Sequence, residues 1–459
     1  MMKLMMLRLI IAIAFLSRTF AAIAAEPKVK DEKIIFSGGE ANAEQLWSSV
    51  GNIAIRVVSP PEVEANSPAP KGNSLEIISA RRTAIYTRHN VAPDWRGVDQ
   101  ISFWVYRSKE EAERVARVSA EIHFLEKDGR TGFWRRFEIS HTGWQQYTLP
   151  LKWLSPLDGR IPLWSRIDRV GFLFLGETTV LLDELAAQTF EKGDGAYLTM
   201  EELLKVAFPL RERAELTVVS RPELFFATDA KHDDAKSVAD DLMEVLKAVE
   251  KDFPFLVAAE APPCLLVFAS QQHYREFALR FGKLFGRVAP APASDGYTIM
   301  GVATGWWEPK FGAKRPTFVH EFVHSLLERR MLLANRSEWF QEGIAAHYQL
   351  KFRPQANFPE LVMTGLKEEK YQLPFPRLCD GNFIETKNYW QAATLIEMLK
   401  TNEKYSGKLK DLVAAFNRTG STNLAPHLAP VLGTDWDTLK KDWAAYCREH
   451  YGKLAPNVK

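Results

Sequence analysis

Only three cysteines occur among the 459 residues: Cys264, Cys379 and Cys447. An odd number leaves at least one thiol unpaired within the chain, and the spacings match no zinc-ribbon pattern. A pair between Cys379 and Cys447 stays open, while Cys264 starts an apolar run and is expected to be buried. Beyond the first residues, no stretch approaches 18 continuous apolar positions, which argues against a membrane-spanning helix. No long basic block is present and the formal net charge is only +2. A phosphate-tracking surface is therefore not expected, nor is a nucleic-acid partner. No internal repeat is visible. Histidine is scarce, with 10 in the chain, so a pattern that uses two of them stands out.

The length suggests two or three domains. Hydrophobic residues at 46% and charged residues at 25% are those of an ordinary soluble globular protein. The beginning is a separate matter. Lys3 and Arg8 form a positive region, residues 9–16 are apolar, and Ala22-Ile23-Ala24 supplies small residues at alternate positions before Glu26. That succession predicts a secretory signal peptide over 1–25. The mature protein is then expected to be secreted or periplasmic, with no membrane span after signal removal.

From about residue 30 to 190 the pattern is short strands separated by turn residues. Residues 53–58 are rich in β-branched side chains and bounded by Ser59-Pro60-Pro61, and 100–106 alternate. Further strand candidates are 120–125, 134–139, 146–149, 170–175 and 179–185, with a short helical insertion near 110–118. Many short strands favour a β-sandwich over a βαβ fold. The segments Trp95-Arg96-Gly97, Gly143-Trp144-Gln145-Gln146-Tyr147 and Leu181-Leu182-Asp183-Glu184-Leu185 resemble those of a galactose-binding-like jelly roll of the carbohydrate-binding kind. The resemblance implies a structural Ca2+ and a glycan partner, with Trp95, Trp134 and Trp144 as a sugar-stacking platform. Filling of the sandwich core by the same tryptophans is the competing expectation.

A boundary is expected at Phe190-Glu191-Lys192-Gly193-Asp194-Gly195, and a second domain over 200–459. Strand-like segments at 215–220, 223–228, 264–268 and 297–304 precede a mostly helical remainder. Between them, 233–253 carries Val238, Leu242, Leu246 and Val249 on one helical face, and 270–281 also reads as a helix. This order predicts an α+β domain.

Val319-His320-Glu321-Phe322-Val323-His324-Ser325 contains His-Glu-x-x-His, on a helix expected to begin near Thr317 as its cap. Residues four apart on a helix lie one above the other, so both imidazoles converge on one ion. Glu321, about 100° round the helix from His320, can reach a water at that ion without being a ligand. Trp339-Phe340-Gln341-Glu342-Gly343-Ile344-Ala345 follows. Two histidines and Glu342 would leave a fourth position on zinc for water, as a catalytic site requires.

With this second segment the chain resembles a gluzincin, within the peptidase MA-like group. Its metal helix is followed by one that often reads Trp-x-x-Glu-Gly-x-Ala, and residues 325–341 separate His324 from Glu342. The resemblance implies one catalytic Zn2+ held by His320, His324 and Glu342, with Glu321 as general base. It also implies a protein or peptide substrate, with the cell envelope or a glycoprotein as candidate sources. Gly343 is expected to let the two metal-bearing helices approach. Tyr389, at the start of a later helix, is the candidate oxyanion donor, with His347 as its rival or as a group near Glu342. Tyr297 and Gly301, on the expected edge strand, together with Trp306 and Trp307, are candidates for a substrate cleft. Two other functions stay open: an inactive glycan-binding or scaffold protein, and a zinc hydrolase acting on cell-wall or glycopeptide substrates.

Overall fold

The computed structural model describes residues 27–38, 43–61, 69–70, 72–88, 94–253, 260–286 and 292–455. The signal-peptide segment 1–25 lies outside them. Two compact units emerge. The first takes 1–119, 138–152 and 174–197; the second takes 120–137, 153–173 and 198–459.

The first unit is built on an antiparallel sheet. Its strands are β1 (Val29–Phe36), β3 (Ile53–Val58), β4 (Ser74–Ser79), β6 (Gln100–Arg107), β9 (Gly143–Pro150) and β12 (Thr178–Phe190), in the order β3-β4-β12-β6-β9. The 13-residue β12 also pairs with β1 through its C-terminal half. Between Asp183 and Ala186 the β12–β6 register shifts, and Glu184 adopts φ 45°. Asp183 is buried there and accepts hydrogen bonds from the Gly38 N–H and the Ser74 hydroxyl, each at 2.8 Å. A separate ladder pairs β2 (Trp47–Val50) with β5 (Thr83–Thr87). The short helical insertion is α1 (Lys109–Arg114), capped by the Ser108 hydroxyl.

The second unit contains β7 (Val118–Glu126), β8 (Gly132–Ile139), β10 (Ser155–Pro156) and β11 (Ile167–Phe174), neighbours in the order β10-β8-β7-β11. Its five-stranded sheet has the order β13 (Thr217–Arg221), β14 (Leu224–Thr228), β15 (Cys264–Phe268), β17 (Val302–Trp306) and β16 (Gly296–Ile299). β14, β15 and β17 run parallel. Their connections contain α3 (Ala235–Asp252) and α4 (Gln271–Leu284), while α2 (Met200–Ala207) precedes the sheet. The α+β expectation is corrected at the pairing: the helices expected at 233–253 and 270–281 are present, and they connect parallel strands before the all-helical remainder begins. The reason is burial on both faces. Leu224, Phe226, Leu265 and Val267 join one core cluster, and Phe225, Ala227, Cys264, Leu266 and Phe268 join the other. Such strands read as continuous apolar runs, as parallel strands covered on both faces do.

The remainder contains α5 (Pro316–Arg330), α6 (Trp339–Phe352), α7 (Phe358–Lys367), α8 (Tyr389–Thr401), α9 (Leu409–Thr419) and α10 (Trp436–Tyr451). Among the described residues, no helix is long and apolar enough to cross a membrane. All three cysteines are buried and free, so Cys379 and Cys447 are not paired.

Candidate metal centre

The helix α5 begins at Pro316 rather than behind a Thr317 cap. Proline lacks the N–H that the first helical position cannot use, and its fixed φ suits a helix start. Arg329 and Arg330 close the helix, where cations suit the negative end of its dipole. Phe318, Phe322, Val323 and Leu326 are buried, so α5 is an internal helix. His324 and Glu321 are buried with it and His320 is partly exposed.

The helix α6 starts from Glu338, whose buried carboxylate accepts from the N–H groups of Phe340 at 2.8 Å and Gln341 at 3.0 Å. Glu342 thus falls in its first turn. Its Oε2 lies 3.2 Å from His320 Nε2 and 3.4 Å from His324 Nε2, and those two nitrogens are 3.2 Å apart. Four ligands about 2.0–2.1 Å from a tetrahedral zinc are roughly 3.3–3.4 Å from one another. The three atoms match that edge length. Two imidazole nitrogens and a carboxylate oxygen packed so closely need a cation among them, a proton or a metal. Burial opposes the charge on Glu342, yet the two imidazoles hold its carboxyl well below the usual range. Burial likewise opposes a charge on His324, and the Glu342 carboxylate outweighs it, raising His324 to about 9. Among the described residues, this is the group of three or more His, Cys, Asp or Glu side chains close enough to hold an ion. No such acidic group marks a calcium site in the described part of the β-rich region.

Glu321 sits one residue along from His320 but outside the triad. Its carboxyl pKa is raised by burial, against the lowering influence of the two histidines. The Thr298 hydroxyl lies 2.9 Å from its Oε2. Gly296 makes room for it, since a Cβ there would stand 2.6 Å from Glu321 Cγ. Both neighbours come from β16, the edge strand of the sheet. The expected single strand over 297–304 is instead a hairpin whose turn is Met300-Gly301. Their φ values, 55° and 68°, are those of a type I′ turn.

A cavity of about 910 Å³ opens on the triad. Tyr389 lines it, at the first turn of α8, and its ring lies parallel to that of His320 with centroids 6.0 Å apart. Burial and the nearby Glu342 push the Tyr389 hydroxyl pKa up, so it stays protonated. Tyr297 also lines the cavity. Gly301, Trp306 and Trp307 do not: Gly301 makes the turn, Trp306 lies under the Arg315 guanidinium at 4.1 Å, and Trp307 stacks on His232 at 4.6 Å. His347 is turned away as well, five residues beyond Glu342 and so about 140° round the helix. Its Nε2 accepts from Lys400 Nζ at 2.9 Å, and burial together with Lys400 pushes its pKa down to about 3. Gly343 faces α8 rather than α5: a Cβ there would be 2.8 Å from Ile396 Cγ1 and 2.9 Å from the Ala392 carbonyl oxygen.

Of the tryptophans expected to form a sugar platform, Trp95 is fully buried and offers no face to a ligand. Trp134 and Trp144 are half-buried. Sequence reasoning passed over Thr298 and Gln341; a polar residue in the edge strand and an amide beside Glu342 were the available signals.

No protein-family model matches the chain, and no curated protein matches it. Among solved structures, a family 11 carbohydrate-binding module from a cellulosomal cellulase of Clostridium thermocellum aligns at 16% identity and a TM-score of 0.26, over 37% of this chain and 98% of that one. A xylan-binding domain from Paenibacillus barcinonensis aligns at 12% identity and a TM-score of 0.24, over 36% and 99%.

Proposed function

We propose that this chain is an exported zinc-dependent metallopeptidase of the gluzincin type. A signal peptide over 1–25 and a jelly-roll β-sandwich over 30–190 would precede the peptidase domain at 200–459. The observation that carries the reading is the triad: two imidazole nitrogens and one carboxylate oxygen at tetrahedral spacing, with a separate buried carboxylate beside them. His320, His324 and Glu342 hold the metal. Zinc bound there supplies Lewis acidity toward water and the substrate carbonyl. Glu321 accepts the proton of the attacking water at its carboxylate and returns it to the leaving amine. The protonated hydroxyl of Tyr389 donates a hydrogen bond to the developing oxyanion. β16 offers an edge along which an extended peptide could pair through its main chain.

The test separates binding from chemistry. The protein is expected to carry one zinc per chain and to cleave peptides in a broad library. Glu321→Gln keeps the zinc and loses nearly all cleavage, because an amide cannot take the proton. His324→Ala loses the zinc. A wild-type protein without zinc at micromolar free metal, or cleavage undiminished in Glu321→Gln, would defeat the reading.

A further inference from the structure

We propose that Gln341 is a positioning residue of the metal centre: its amide, oriented by two main-chain carbonyls, fixes His324 in the tautomer that presents Nε2 to the metal. The inference rests on the zinc reading above and goes beyond its ligand set.

Gln341 Nε2 lies 3.2 Å from the Leu333 carbonyl oxygen and 3.3 Å from that of Ala334. Carbonyl oxygens only accept, so the amide NH2 must face them. The other end of the amide, Oε1, then lies 3.2 Å from His324 Nδ1. An amide oxygen also only accepts, so Nδ1 carries the proton. A neutral imidazole protonated on Nδ1 has its lone pair on Nε2, the nitrogen 3.2 Å from His320 Nε2 and 3.4 Å from Glu342 Oε2. Gln341 is fully buried and His324 is 3% exposed, which leaves water little access to replace the bond.

The arrangement is one-sided. His320 Nδ1 is buried with no hydrogen-bond partner among the described residues. Its ring is held instead by the face of Tyr389. Of the two imidazoles, only His324 is tied through its second nitrogen. The tie begins in the segment between α5 and α6, where Leu332 adopts φ 52°, and ends on the residue preceding the third ligand. One turn of α6 therefore supplies both a ligand and the group that aims another.

Outer partners of this kind commonly change metal affinity about 10- to 100-fold when removed. Gln341→Met keeps the length and removes the amide. Its zinc dissociation constant, measured by chelator competition on folded protein, should rise by about that factor. The visible absorption of the cobalt(II)-substituted protein should shift as the His324 ring loses its fixed orientation. A dissociation constant within twofold of wild type and an unchanged cobalt spectrum would overturn the proposal while leaving the zinc reading intact. Wild-type protein that takes up neither ion would remove the zinc reading and this proposal together. A measurement on unmutated protein guards against a variant that does not fold. In zinc-loaded wild type with 15N-labelled histidine, His324 should show a slowly exchanging Nδ1 proton and metal coordination through Nε2. Coordination through Nδ1 would overturn the proposal without any substitution.

Discussion

The Thr298 hydroxyl sits between two oxygens of Glu321, 3.0 Å from the main-chain carbonyl and 2.9 Å from Oε2 of the carboxyl. A single side chain on the edge strand thus ties down both the backbone and the proposed base of the metal helix. Thr298→Val keeps the shape and removes the donor. A hydrogen bond to a charged group contributes about 1.5–3 kcal/mol, so turnover is expected to fall about 10- to 100-fold. Zinc content should not change, because Thr298 touches no ligand atom. Parallel loss of zinc and turnover would show that Thr298 supports the helix rather than the base.

Tyr389→Phe removes a hydroxyl and little else, since the ring can still lie against His320. Loss of one oxyanion donor commonly costs about 10²–10³ in kcat. Zinc should remain at one per chain and KM should change little. Unchanged turnover would leave the face contact with His320 as the role of Tyr389.

Gly343→Ala tests the packing behind the site. The added methyl meets the main chain of α8, which cannot move aside as a side-chain tip can. Overpacking of about 1–3 kcal/mol should exceed the roughly 0.5–1 kcal/mol that alanine gains over glycine in a helix. Urea unfolding of the metal-free protein is expected to shift to lower denaturant.

His347 gives a pH-dependent test away from the metal. Its pKa is pushed down to about 3 in the folded protein, against an ordinary value of 6.5. Between those values the unfolded chain takes up a proton that the folded chain refuses. The contribution to stability is therefore present above pH 6.5 and declines as the pH falls toward 3. Lys400, Lys351, Asp252 and Tyr348 surround the ring. His347→Gln preserves an acceptor for Lys400 and removes the titration. The melting temperature of this variant should fall less steeply than wild type between pH 6.5 and 4.5. Parallel curves would assign the acid sensitivity elsewhere.

The grouping of His320, His324 and Glu342 was legible because its geometry is local. Two histidines one turn apart fix their own geometry, and Glu342 follows after a short connection. What the sequence concealed depends on tertiary contact. Met300 in a left-handed conformation carries no Asn-Gly signal, so one strand was expected where a hairpin stands. Gly343 lies about 100° round α6 from Glu342, which turns it from α5 toward α8; the sequence offers no sign of that neighbour. Gln341 acquires its role only when the carbonyls of Leu333 and Ala334 are brought to its amide. The helices between β14, β15 and β17 were legible at 233–253 and 270–281, but the parallel pairing of those strands was not, because strands buried on both faces lose their period of two.

The Met300-Gly301 turn is fastened to α5 by three side chains. Gly301 donates its N–H to Glu328 at 2.6 Å, while its carbonyl oxygen accepts from Ser325 at 2.6 Å and Arg329 at 2.9 Å. The hairpin is thereby a ruler laid along the metal helix, zeroed at its turn. Counting back from that mark puts Thr298, and not Tyr297 or Ile299, against Glu321. Alternate residues of a strand face opposite ways, so a one-residue insertion between Thr298 and the turn would reverse the graduation. Ile299 or the inserted residue would then arrive where the hydroxyl stands. The two-residue loop thus sets a length tolerance of less than one residue for the contact between Thr298 and Glu321.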